Sequence, residues 1–191
     1  MISTKAELKQ YILQDSKAYR RKSISANLLG DDLWKFQLTM RKLDYLTTKR
    51  KENLFYLLSY AFYRRKYYYF SVRLGFSIGN YRHIAKGFSI AHYGTIIINE
   101  TSVIGENCRV HAGVNIGATS GEKKAPAIGN NVYIGPGAKL VGNITVADGV
   151  CIGANATVVR SITEPNTTWG GTPAKKISEK SSKKHLSPLL F

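Results

Sequence analysis

The sequence predicts a mainly β fold, a parallel β-helix preceded by an α-helical segment. Two patterns carry that prediction: a six-residue ladder of aliphatic side chains from position 78 onward, and a small residue directly after most of its rungs. The rungs are Ile78, Ile84, Ile90, Ile98, Ile104, Val110, Ile116, Ile128, Ile134, Leu140, Val146, Ile152 and Val158. Every gap is six residues, except eight between Ile90 and Ile98 and twelve between Ile116 and Ile128. Gly or Ala follows the rung at nine of the thirteen positions. An α-helix, at about 3.6 residues per turn, carries every sixth side chain around its axis and cannot stack them on one face. Short strands joined by sharp turns can, with the aliphatic residue inward and the small residue where the backbone bends. No single coil buries its own apolar face, so stacked neighbours supply a column of Ile and Val, whose β-branched side chains suit a pleated surface. A β-sandwich gives no reason for thirteen rungs to keep register.

Residues 1–75 read as a basic, aromatic-rich helical segment. Thr4 and Glu7 form a capping box ahead of Leu8, Tyr11 and Ile12. A second helix starts at Asp31 or Asp32 and runs through Trp34, Leu38 and Leu43, and a third runs from about Glu52 through Leu57, Tyr60 and Phe62. This segment holds 16 Lys/Arg against 6 Asp/Glu, a net of +10 within the chain's +16. From Leu54 to Phe76 aromatic residues are mixed with Arg64, Arg65, Lys66 and Arg73. Such a surface suits packing on the first coil or a neighbouring subunit, contact with a membrane surface or an anionic glycan, or binding of nucleic acid. No nucleic-acid motif accompanies the charge, so no nucleic-acid partner is expected.

Residues 76–177 form the β-helix, with a loop at 117–127, and residues 178–191 a basic tail expected to be mobile or to pack late. Cys108 lies two residues before a rung, at a small inward site, whereas Cys151 directly precedes a rung and is expected to face outward. Two cysteines make no disulfide framework. The N-terminus lacks an apolar signal segment, and no run approaches the roughly 18 apolar residues of a membrane span. A cytoplasmic location is expected, with association at the inner face of the membrane left open.

The two breaks in the ladder carry the chemistry. The eight-residue gap contains Ala91, His92, Tyr93 and Gly94, two residues more than a coil edge needs. The surplus presents His92 at the surface, where a near-neutral imidazole can accept a proton. The second break, GATSGEKKAPA from Gly117 to Ala127, is polar and carries Lys123 and Lys124. With eighteen residues to a three-sided coil and two inserted, His92 should lie under position 112 beside His111, with both histidines and the basic loop on one edge.

From Gly87 to Lys176 the chain resembles serine acetyltransferase and the related hexapeptide-repeat O-acetyltransferases of polysaccharide biosynthesis. The stretches GFSIAHYGTIIINETSVIGENCRVHAGVNIG, IGNNVYIGPGAKLVGNITVADGVCIGANATVV and GGTPAKKI carry the resemblance. It implies a left-handed β-helix, a homotrimer with active sites between subunits, and acetyl-CoA as donor. His92 matches the family's catalytic histidine, which takes the acceptor's hydroxyl proton as the oxygen attacks the thioester, without an acyl-enzyme. The acetyl-CoA groove corresponds to Ala118, Thr119, Pro136, Gly137, Ala154, Thr172 and Pro173, with Lys175 and Lys176 as phosphate partners.

Departures from the family pattern bear on the acceptor. The aspartate that precedes the catalytic histidine is Ala91 here, the Arg-His pair of the long loop is Lys124 and Ala125, and the aspartate that orients the histidine aligns with Ser77. Ser77, Asn99, Glu100 or a backbone carbonyl must then orient His92, while His111, Tyr93 and Lys124 are candidate acceptor contacts. A zwitterionic acceptor needs a carboxylate for its ammonium group, and the family's own is missing. The expectation is therefore an acetyl-CoA-dependent O-acetyltransferase acting on a sugar hydroxyl of a capsular or other surface polysaccharide. Serine O-acetylation in cysteine biosynthesis and a non-catalytic glycan-binding scaffold are the alternatives. A zinc hydratase needs three converging histidines. Of His83, His92, His111 and His185 the last lies in the tail, so no metal is expected.

Overall fold

The computed structural model describes residues 1–27, 29–79 and 81–191. Helix α1 (Lys5–Ala18) starts on the expected capping box, with both reciprocal bonds between Thr4 and Glu7 formed. Helix α2 (Asp32–Lys49) begins after Asp31 and buries Trp34, Phe36, Met40 and Leu43. Helix α3 (Leu54–Leu74) is capped by Asn53, whose side chain accepts the Tyr56 N–H, and it stops at Gly75 in the left-handed conformation at φ 78°. It continues well past Phe62, because nothing between Phe62 and Gly75 breaks a helix. Only Phe70 and Leu74 of α3 are buried, and Leu54, Phe55, Leu58, Phe62 and Val72 are exposed.

Beyond Gly75 the chain winds into a three-sided β-helix. One face stacks Phe76–Ile78, Ile96–Ile98, Asn115–Gly117, Lys139–Val141 and Thr157–Val158 in parallel. The second carries Val103–Ile104, Ala127–Ile128 and Thr145–Val146, extended by bridges from Ile84 and to Ile162. The third stacks Ser89–Ile90, Arg109–Val110, Tyr133–Ile134, Cys151–Ile152 and Thr168–Gly170. All thirteen rungs are buried, none more than 5% exposed. A second inward column, two residues before the rungs, holds Phe88, Ile96, Cys108, Val114, Val132, Ala138, Val150 and Ala156, all fully buried. The ladder is thus the core itself.

Stacking leaves the first coil with a row of backbone groups that no lower coil can satisfy. The helical segment supplies their partners through a buried polar cluster. Arg41 donates to the carbonyls of Ile84 and Ala85, each at 2.7 Å, and pairs with the buried Asp15 at 2.7 Å. Asp15 also accepts the Gly87 N–H at 2.7 Å, Gln37 donates to Phe88 O at 3.2 Å, and the Ile90 N–H donates to the Tyr19 hydroxyl at 3.1 Å. The helices therefore cap the solenoid and fix the strand that leads into His92.

At the other end Lys175–Ser178 pairs antiparallel with Thr168–Gly170. The tail then folds back along the third face. Ser182 N–H donates to Gly149 O at 2.9 Å, Arg20 donates to Leu186 O at 3.2 Å, and Leu186 is buried. The tail was expected to be mobile or to pack late; these bonds and the burial of Leu186 pack it against the third face. Cys151, expected to face outward, does leave the column but is only 4% exposed, on the face over which the tail folds.

Candidate active site

The edge between the third and first faces contains the histidine turn. Strand Ser89–Ile90 ends, two surplus residues bulge outward, and the chain re-enters at Ile96–Ile98. Gly94 sits at φ 124°, which L side chains rarely adopt, and a Cβ there would lie 3.2 Å from Ala112 Cβ. The turn is tied to the end of α3 by Gly94 N–H to Leu74 O at 3.2 Å and Ile96 N–H to Gly75 O at 3.1 Å. His92 and Tyr93 are exposed as a result.

The register is the one expected from counting residues per coil. The rings of His92 and His111 lie 5.4 Å apart, His111 packs edge-on to Tyr133 at 5.1 Å, and Tyr133 stacks on His185 at 4.5 Å. Burial pushes the His111 imidazole down to about 4, and Arg109, His92 and His185 add repulsion of its charged form. His111 is therefore neutral at physiological pH, and its Nε2 is buried without a hydrogen-bond partner among the described residues. His185 is lowered too, by burial and then by Lys184. The His92 side chain forms no hydrogen bond among the described residues, so its ring nitrogens are open to a bound molecule.

Above the histidines the same edge rises through Pro136, Gly137, Ala154, Thr172 and Pro173. Gly137 has φ 74° and its N–H donates to Ala112 O at 2.9 Å, while Lys139 Nζ crosses this line of small residues to donate to Gly113 O at 2.6 Å and Gly137 O at 3.0 Å. Thr172–Pro173 is a cis peptide. Pro173, Lys175 and Lys176 line a recess of about 590 Å³ with Val158, Arg160 and Trp169. Lys176 Nζ is held by Glu164 at 2.6 Å and Glu179 at 2.8 Å, which raise its pKa, whereas Lys175 forms no ion pair among the described residues.

Other expected site residues lie elsewhere. Asn99, Glu100, Ala118, Thr119 and Lys124 occupy the edge at the far end of the first face, because the 117–127 loop leaves after strand Asn115–Gly117 whereas the histidines precede that face. Within one chain the histidines and the basic loop do not share an edge. Asn99 is engaged in its own turn, accepting from Thr101 N–H at 2.9 Å and from its hydroxyl at 3.0 Å. Glu100 stacks over Gly79, where an added Cβ would lie 2.8 Å from its backbone nitrogen. Ser77 is exposed, lines a recess with Arg64, Tyr67 and Tyr68, and makes no hydrogen bond to His92. Tyr133 separates His111 from His185, and no group of three or more His, Cys, Asp or Glu among the described residues could hold a metal ion. No helix among them is long and apolar enough to cross a membrane.

Sequence reasoning missed Asp32 and Arg73. Arg73 Nε meets Asp32 Oδ2 at 3.0 Å, and the two residues with Leu74 and Tyr93 line a recess of about 350 Å³ beside the histidine turn. Asp32 reads in the sequence as a helix start and Arg73 as one of a run of basic residues, so neither carries a local signal.

Five stacked coils capped by helices, with a histidine presented on a bulged edge, define a left-handed hexapeptide-repeat β-helix of the acyltransferase class. Residues 126–160 match the bacterial transferase hexapeptide family (six repeats). Over 136 residues the chain is 35% identical to the serine acetyltransferase of Helicobacter pylori, spanning 66% of this chain and 79% of that protein. The crystal structure of serine acetyltransferase from Vibrio cholerae superposes with a TM-score of 0.70 at 25% identity, covering 97% of this chain and 70% of that one. A Brucella abortus serine acetyltransferase in complex with coenzyme A shares the fold, with a TM-score of 0.67 at 24% identity over 93% of this chain and 70% of that one. The chain belongs to the serine acetyltransferase family, and it is an acetyl-CoA-dependent O-acetyltransferase.

These relatives overturn the expected sugar acceptor, and they give no support to a closeness to capsular polysaccharide enzymes. That expectation rested on Ala91, Lys124 and Ala125 and on the short, basic and aromatic helical segment. Changes at three positions say less about the acceptor than identity spread over 136 residues of serine acetyltransferase sequence.

Proposed function

We propose that the chain is a serine O-acetyltransferase of cysteine biosynthesis, acting in the cytoplasm where acetyl-CoA is available. The observation that supports this most is the exposed His92 on the bulged edge of a chain related to serine acetyltransferase along most of that protein's length. His92 takes the proton from the serine hydroxyl as its oxygen attacks the thioester carbonyl; the C–S bond then breaks, and the CoA thiolate leaves and is protonated. Backbone N–H groups along the edge stabilise the developing oxyanion. His111 packs against His92 and, being neutral, fixes the orientation of that ring without adding a charge beside it.

The donor lies along the line of small residues at Pro136, Gly137 and Ala154, beside Lys139, whose Nζ donates to Gly113 O and Gly137 O. It ends near Thr172, Pro173 and Lys175. Ala118 and Thr119 sit on another edge of the same chain, so a groove built from both sets takes one edge from each of two copies. This favours the homotrimer. The reading is tested by incubating purified protein with acetyl-CoA and L-serine and following thiol release together with O-acetylserine by mass spectrometry. Production of both at catalytic turnover is the expected result, and their absence at every protein concentration overturns the reading.

A further inference from the structure

Serine is a zwitterion, and a site that selects it must offer an anion to its ammonium group and a cation to its carboxylate. At the histidine turn Ala91 provides neither. On the other side of Tyr93 the structure holds both charges in one place. Asp32 opens α2, Arg73 closes α3, and their recess is completed by Leu74 and Tyr93, the residue next to His92.

Each charge keeps unused capacity. Arg73 Nε is taken by Asp32 and its Nη1 donates to the Tyr69 hydroxyl at 3.3 Å, but Nη2 makes no hydrogen bond among the described residues. The second oxygen of Asp32 makes a longer ion pair with Lys35 Nζ at 3.8 Å and accepts no hydrogen bond among the described residues. The Arg73 side chain is 56% exposed, and ion pairs in such settings contribute about 0–1 kcal/mol to folding, so stability alone does not account for the arrangement. The pair is also held in position. Gly94 N–H donates to Leu74 O, which fastens the histidine turn to the helix end that carries Arg73.

We propose that Asp32 and Arg73 form the subsite for the ammonium and carboxylate groups of the amino-acid acceptor, with Tyr93 as its wall and the acceptor hydroxyl directed to His92. This assignment rests on the serine acetyltransferase reading and replaces the family's missing aspartate with a carboxylate from the helical segment. Steady-state thiol release tests it in the wild type, Asp32→Asn and Arg73→Gln. Each substitution should raise KM for L-serine at least about 10-fold, the loss of one charge-assisted contact, and leave KM for acetyl-CoA within about 2-fold of wild type. In the unaltered protein 3-hydroxypropionate, which lacks the ammonium group, and serine methyl ester, which lacks the carboxylate charge, should each lose a similar factor. Asp32→Asn should erase the preference over 3-hydroxypropionate, and Arg73→Gln the preference over the ester. Wild-type turnover of serine with unaltered serine KM in both variants overturns the subsite alone. A wild type that fails to acetylate serine overturns the acceptor reading and the subsite with it.

Discussion

Replacing Arg41 by Met removes the cation at the centre of the cap that joins helices to solenoid. Asp15, fully buried, would keep Gln37 Nε2 and the Gly87 N–H, both at 2.7 Å, but lose its ion pair with Arg41. Stranding one member of a buried pair costs about 3–5 kcal/mol. The carbonyls of Ile84 and Ala85 lose their donors too, at about 1–3 kcal/mol each where water cannot replace them. Part of the second cost is already contained in measured values of the first, so the net loss should be about 4–6 kcal/mol. Against a total stability of about 5–15 kcal/mol this leaves a barely folded protein. Urea unfolding at fixed protein concentration is the assay, and with a slope of about 2 kcal/mol per M the midpoint should fall by about 2–3 M. Asp15→Leu combined with Arg41→Met should lose less than the sum of the single variants, because no charge is then stranded. A midpoint shift for Arg41→Met equivalent to less than about 1 kcal/mol, or strict additivity in the double variant, would refute the capping argument.

Three further outcomes are expected. The unfolded imidazole of His111 titrates near its ordinary 6.5 and the folded one near 4, so the unfolded state binds the proton more tightly between these values. Its contribution to stability is therefore complete above about pH 6.5 and lost as pH falls toward 4. His111→Gln should flatten that part of the pH–stability curve, and an unaltered slope would place the neutral imidazole elsewhere. Lys175→Ala should raise KM for acetyl-CoA several-fold, whereas Lys176→Ala should do so less, because Glu164 and Glu179 already hold its ammonium group; equal effects would contradict the ion pairing. Sedimentation equilibrium should give three times the chain mass of 21.3 kDa, and a monomer with full activity would exclude a groove shared between copies.

The fold was legible because the β-helix makes burial a local property: one residue in six faces the column, so the core can be counted along the chain. The exposure of His92 was legible for the same reason, since a two-residue surplus in a strict period must leave the column. The edge assigned to the 117–127 loop was wrong although the count contains the answer. Gly117 follows Ala91 by twenty-six residues, and subtracting the two inserted leaves one coil and one further side. The Asp15–Arg41 and Asp32–Arg73 pairs were not legible, because they join residues 26 and 41 positions apart across packed helices, and no period links them. The order of the tail was hidden likewise, since it depends on Tyr133, Gly149 and Arg20 meeting residues 182–186. The acceptor was misread by giving the departure at Ala91 more weight than the similarity to serine acetyltransferase spread over 136 residues.

The most direct test of His92-assisted acetyl transfer to serine is kcat/KM for L-serine in the wild type and His92→Ala, beside calorimetric titration of both with coenzyme A. Loss of a general base should lower kcat by about 10²–10⁴-fold while coenzyme A binds both proteins equally. Serine turnover by His92→Ala within a few-fold of wild type would contradict the account.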